Sequence, residues 1–311
     1  MNRFRRALVL LAAVLAIALT ACGDGSGGST ASESPDAATG ASDTPSQAPS
    51  EAVTEAATET SACAPESLAL KNEGTLTVAT GEPAFEPWVA GDDPTTKKGF
   101  EAALVYEIAA ELGLSDGDVK WVRTGFNEAI APGEKDYDFN IQQYSINPRR
   151  AKVVDFSQGY YEVEQAIIGA KDSSVANAQS LADLKSARLG AAIGTTSLDY
   201  IEEVIQPDAE AQVYNDNAAA KAAFNAGQVD GIVFDLPTAY YITAVEIPKA
   251  KIIGVLPVVG EAEELGILFP KGSELVSCVD AALASLEETG TLDELEDEWL
   301  NQGGDIPSLS E

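Results

Sequence analysis

Apolar residues along this chain recur at two spacings, and the alternation between them outlines a folded body that begins near Cys63. TLTVAT (75–80) has the β-branched, every-second-residue pattern of a strand. FEAALVYEIAAELGL (100–114) carries apolar side chains at helical spacing and stops near Gly113. DVKWVRT (118–124) predicts a second strand, a weaker helix follows from Asn127, and YDFNIQQYSI (137–146) comes next. Downstream, ARLGAAI (187–193) and VDGIVFD (229–235) read as strands. SLDYIEEVI (197–205), AAAKAAFNAG (218–227) and TAYYITAV (238–245) read as helices. The segment 273–300 predicts two further helices around Gly290. This βα alternation predicts an α/β architecture with open sheets, which bind ligands beyond the carboxyl ends of their strands.

Ahead of the body the pattern differs. Arg3, Arg5 and Arg6 form a basic n-region, and Ala7 to Leu19 is apolar without a charge. A membrane-spanning helix needs roughly 20 apolar residues, so this stretch suits a secretory h-region instead. It ends in Leu19-Thr20-Ala21-Cys22, which resembles a bacterial lipobox. The resemblance implies removal of residues 1–21 and acylation of the Cys22 sulfur, which would hold the protein on the outer face of the cytoplasmic membrane. From Gly23 to Ala62 there is no Lys or Arg, and Val53 is the only large apolar residue. Residues 22–62 therefore read as a disordered acidic linker.

Composition narrows the chemistry. The 311 residues hold 19 Lys+Arg and 50 Asp+Glu, so the formal net charge is 19 − 50 = −31. That charge repels phosphate backbones and argues against nucleic-acid binding. The chain has no histidine, which excludes Ser-His-Asp and Cys-His catalysis and any zinc site built on imidazole. Nothing calls for a cofactor or a metal, and no catalytic residue is assigned. With Cys22 given to lipid, Cys63 and Cys278 remain, in a compartment that permits disulfides. A bridge between them would pin the start of the body to a C-terminal helix; two buried thiols are the alternative.

Ser145-Ile146-Asn147-Pro148-Arg149-Arg150, then Ala151-Lys152-Val153-Val154-Asp155-Phe156-Ser157 and Tyr160-Tyr161, resemble the signature of the family 3 extracellular solute-binding proteins. LGAAIGTTS (189–197), GQVDGIVFD (227–235) and TGTLDELEDEWL (289–300) extend the resemblance through nearly all of the body. Asn147 stands where the family pattern has threonine. The resemblance implies an α/β, two-lobed, periplasmic-binding-protein-like (type II) fold with a two-strand hinge. Lobe 1 would hold 63–168 plus 262–311 and lobe 2 172–258, with crossings near 168–171 and 258–263. It also implies an amino-acid ligand and, as partners, the permease and ATPase subunits of an ABC importer. No G-x-x-x-x-G-K-[ST] string occurs here, so the energy source lies in another protein.

The site follows from what a free amino acid offers: a carboxylate, an ammonium and a side chain. Both charges need opposite charges and hydrogen bonds once they leave water. Arg150 matches the family's carboxylate-binding position, and its planar fork can make two parallel bonds. Thr195 and Thr196 precede a helix whose first N–H groups attract anions, although capping alone would explain threonine there. Asp235 ends a strand where the family receives the ligand's ammonium; its other reading is a plain helix cap. Glu82, Phe85 and Phe126 match side-chain-pocket positions, where a surface glutamate and core aromatics are the bland alternatives. Ser145 opens the signature. Gln142 and Gln143 replace small residues, and they advise against copying a lysine, arginine or histidine specificity.

Two other functions compete. A cyclohexadienyl-dehydratase-like enzyme would use a cleft carboxylate such as Glu82 as general acid, and an extracellular amino-acid sensor would pass occupancy to a signalling partner. The binding-protein reading fits best, because the lipobox and long linker suit capture at a membrane.

Overall fold

Two five-stranded mixed sheets carry the fold of this computed structural model. It describes residues 63–301, 304 and 306–311; the signal peptide, the lipidation at Cys22 and the linker 22–62 lie outside the described residues. In chain order the strands are β1 (Leu76–Gly81), β2 (Val119–Thr124), β3 (Phe139–Asn140), β4 (Val154–Val163) and β5 (Gln165–Ala170). Then come β6 (Leu189–Ala192), β7 (Gln212–Tyr214), β8 (Gly231–Asp235), β9 (Ala250–Val255) and β10 (Glu263–Pro270). The described α-helices are α1 (Phe100–Glu111), α2 (Phe126–Ile130), α3 (Thr196–Asp199), α4 (Asn217–Asn225), α5 (Leu236–Tyr241), α6 (Val276–Glu288) and α7 (Thr291–Trp299).

The first sheet has the order β2-β1-β3-β10-β4, with β10 antiparallel to both of its neighbours. Every residue of β1 is buried, as expected of a central strand covered on both faces. Helix α1 is apolar on nearly all sides because it packs between that sheet and the pair α6 and α7. Trp88, Phe100, Phe139, Tyr160 and Phe269 fill the core there. The second sheet has the order β7-β6-β8-β5-β9, with a hydrophobic cluster against each face. Cys63 and Cys278 are joined in a disulfide, which fixes the start of the body to α6.

The chain changes sheet at Glu164, between β4 and β5, and again between Val255 and Glu263. The first change comes earlier than the expected crossing at 168–171. Ile168 already pairs with Ile232 and Ile252 inside the second sheet, because the apolar run Ala166-Ile167-Ile168 is a buried central strand. The expectation that 262–311 belongs wholly to the first half also needs correction. After α7 the tail returns to the second sheet, where Ser308 bridges to Val255 and Ser310 to Ser180. Leu309 is buried in that half's core, and Gly254 has no side chain where Leu309 lies.

Candidate functional site

Loops leaving the carboxyl ends of β1 and β2 face loops leaving β6 and β8, and a cleft of about 270 Å³ lies between them. Parallel strands that end together leave such a crevice. Glu82, Phe85, Phe126, Gln142, Gln143, Ser145 and Arg150 line it from the first half, and Thr195, Thr196 and Asp235 from the second. All the ligand-site candidates singled out from sequence therefore meet in one place.

Arg150 begins a single 3-10 turn, Arg150–Lys152, ahead of β4. Its backbone N–H donates to Asn147 Oδ1 at 2.8 Å, so the asparagine that replaces threonine in the signature caps this turn. Arg150 is 3% exposed. It donates from Nη1 to the Ser145 carbonyl at 2.7 Å and from Nη2 to the Gly194 carbonyl, in the other half, at 2.9 Å. Its carbon lies 5.3 Å from the centre of the Phe126 ring, which itself stacks on Tyr144 at 4.6 Å. Burial lowers the affinity of Arg150 for its proton, and the charge of Glu263 acts against that shift. Phe126 thus supports the arginine as well as lining the cleft.

In the opposite wall, Thr195 is the cap of α3: its Oγ1 accepts from the Leu198 N–H at 3.2 Å and donates to the Ala192 carbonyl at 2.7 Å. The N–H groups of the first helical turn have no intrahelical acceptor. Thr196 Oγ1 donates to Glu263 Oε1 at 2.5 Å, and Ser145 Oγ donates to the same oxygen. Asp235 ends β8 and accepts from Gln165 Nε2 at 2.8 Å. Enclosure by protein and, after it, the charge of Glu263 push its carboxyl up to about 7.

The floor is made by Gln142 and Gln143. Gln142 is buried and its Oε1 accepts from Tyr144 at 3.0 Å. Gln143 has φ 51°, a left-handed conformation unusual for a residue with a side chain. Glu101 holds it there, accepting from the Gln143 backbone N–H at 2.7 Å and its Nε2 at 2.5 Å. Tyr160 also donates to Glu101, at 2.6 Å. Burial pushes this carboxyl up to about 7. One amide of the predicted pair is thereby engaged beneath the cleft.

Sequence reasoning missed Glu101, Gln165 and Glu263. Glu101 was legible in principle, since it shares a helical stripe with the buried Val105 and Ile108. A glutamate at a sheet crossing such as Glu263 carries no local signal. Also missed were Asn127, Glu128 and Asp216 at the rim. Asn127 Nδ2 reaches across the cleft to the Ile193 carbonyl at 3.1 Å. It lies where a side chain on residue 194 would stand, and Gly194, at φ 79°, leaves that room. Other contacts also join the halves: Trp88 Nε1 donates to Thr238 at 2.9 Å, and Arg149 pairs with Asp199 at 2.5 Å.

Comparison with known proteins adds identity to this geometry. The profile of the bacterial extracellular solute-binding proteins, family 3, matches residues 76–302. The L-cystine-binding protein TcyJ of Escherichia coli (strain K12) is 28% identical over 244 residues, 76% of this chain and 86% of that protein. The ABC transporter arginine-binding protein 1 of the same strain is 30% identical over 238 residues, 72% of this chain and 89% of that protein. Among solved structures, the amino acid ABC transporter substrate-binding protein AbpA from Streptococcus pneumoniae, bound to L-arginine, gives a TM-score of 0.64. It is 26% identical, over 75% of this chain and 98% of that one.

Proposed function

We propose, for a chain that belongs to the bacterial extracellular solute-binding proteins of family 3, that the cleft captures a free amino acid and releases it to an ABC importer. The observation that carries this reading is that Arg150, from the turn ahead of β4 in the first half, and Asp235, at the end of β8 in the second, line one cleft. A carboxylate on Arg150 and the first turn of α3, with an ammonium on Asp235, matches both charges of the ligand's backbone. Each hydrogen bond to a charged group contributes about 1.5–3 kcal/mol. Contacts from both sides favour the closed arrangement, because only there are they made together. The halves act as lobes that move about the crossings at Glu164 and 256–262, and the process requires no covalent step. Glu82, the general acid of a dehydratase reading, is exposed at the rim, outside the apolar enclosure that such an acid needs.

The same reading puts the protein outside the cytoplasm, anchored through Cys22, with permease and ATPase subunits as partners. Among the described residues no helix is long and apolar enough to cross a membrane. Incorporation of labelled palmitate, lost in Cys22→Ala, tests the anchor. A thermal-shift screen against the common amino acids and L-cystine tests the ligand class, since stabilisation grows as RT ln(1 + [L]/Kd). A hit that persists undiminished in both Arg150→Ala and Asp235→Ala contradicts the site.

A further inference from the structure

The two crossings of the chain meet at one carboxylate. Glu263 opens β10 at the end of the second crossing, and its Oε1 accepts from Ser145 Oγ of the first half and Thr196 Oγ1 of the second. The two hydroxyls lie 3.3 Å apart. Its Oε2 accepts from Gln165 Nε2 at 3.3 Å, and Gln165 directly follows the first crossing and passes a 2.8 Å bond to Asp235. Glu263 lines a separate pocket of about 280 Å³ behind the crossings, whereas Ser145 faces the ligand cleft.

This arrangement reaches both ends of the proposed grip. Ser145 also lends its carbonyl to Arg150, so the residue that seats the arginine is itself held by Glu263. Glu263 and Ser145 belong to the first half and Thr196 to the second, so the Thr196 bond joins the halves. This acceptor belongs to the protein and is present before any ligand. We infer that Glu263 is a positioning residue for ligand capture: it ties the Ser145 and Thr196 hydroxyls across the cleft and populates the closed arrangement in advance. With those hydroxyls engaged, a ligand carboxylate is left Arg150 and the backbone N–H groups of α3. The inference rests on the amino-acid reading of the cleft given above.

A binding protein whose competent form is only partly populated loses apparent affinity by that fraction. The test compares wild type, Glu263→Ala, Glu263→Gln and Thr196→Val by pulsed dipolar spectroscopy. Spin labels go on Lys120→Cys and Lys185→Cys, both exposed and one in each half, in a Cys22→Ala background. Without amino acid, wild type should show a short-distance population that Glu263→Ala and Thr196→Val largely lose. Glu263→Gln keeps an oxygen acceptor and should retain it. For whichever of L-arginine, L-glutamine and L-cystine binds, Kd should rise about tenfold in Glu263→Ala, with the saturated distance unchanged, and less than about threefold in Glu263→Gln. Identical ligand-free distances in wild type and both disrupting variants would overturn the inference. If no amino acid binds wild type yet the distances still respond to Glu263→Ala, the tie stands and the amino-acid reading fails.

Discussion

Arg150 places Nη2 2.9 Å from the carbonyl oxygen of Gly194, so a buried guanidinium of the first half is bonded to the loop that begins the opposite wall. Its other terminal nitrogen bonds to Ser145 within its own half. A guanidinium has five N–H donors, so these bonds orient the group without exhausting it. The same side chain can therefore align the two halves and receive a carboxylate.

Arg150→Ala removes the carboxylate's partner together with both bonds to carbonyls. Two charge-assisted bonds at about 1.5–3 kcal/mol each amount to at least a hundredfold loss of affinity. Arg150→Lys keeps the charge but not the planar fork, and should recover only part of it. Titration calorimetry with an amino acid that binds wild type measures both.

Binding should depend on pH through Asp235. Its carboxyl is raised to about 7 by burial and then by Glu263. A folded value above the ordinary one means that the ligand-free protein loses this contribution to stability as pH rises through 7. An ammonium reverses the preference, since it requires the ionised form. Affinity should therefore rise with pH from 5 to 7, by up to about tenfold per unit, and level off above. Calorimetry near pH 6 in buffers of different ionisation heat should detect proton release, and Asp235→Asn should abolish it.

The charge of the cleft bears on ligand choice. Arg150 faces Glu82, Glu128, Asp216 and Asp235 among the lining residues, one cation against four carboxylates. A second acidic group on the ligand would meet repulsion without a free partner. L-glutamate and L-aspartate should bind at least tenfold more weakly than L-glutamine and L-asparagine, a difference that competition binding in low salt would measure.

The tail that returns to the second sheet should matter for stability. Leu309 is 3% exposed among the residues packed against β5 and β9. Leu309→Ala should cost about 2–3 kcal/mol in urea unfolding, and the choice of amino acid should be unchanged.

Much of this was legible in the sequence. The strand at β1 and the helix at α1 followed from apolar spacing, because both are buried among other elements of the first half. Arg150, Thr196 and Asp235 followed from a resemblance in motifs, and the structure gathers them around one cleft. The crossings were less accessible. Strand β5 is apolar after Gln165, and nothing in Ala166-Ile167-Ile168 says which sheet it joins. Glu263 drew no attention because its partners lie 118 and 67 residues away. The bent backbone of Gln143 depends on Glu101, 42 residues distant, so no local rule would find it.

The central claim, that Arg150 and Asp235 grip the two ends of one zwitterion, is tested most directly by a double-mutant cycle between protein and ligand. An amino acid that binds is compared with its decarboxylated amine and its deaminated acid, against wild type, Arg150→Ala and Asp235→Asn. The account predicts that losing the ligand's carboxylate costs little more once Arg150 is gone, and losing its amine little more once Asp235 is neutral. A deaminated acid that binds wild type as tightly as the parent amino acid would contradict it.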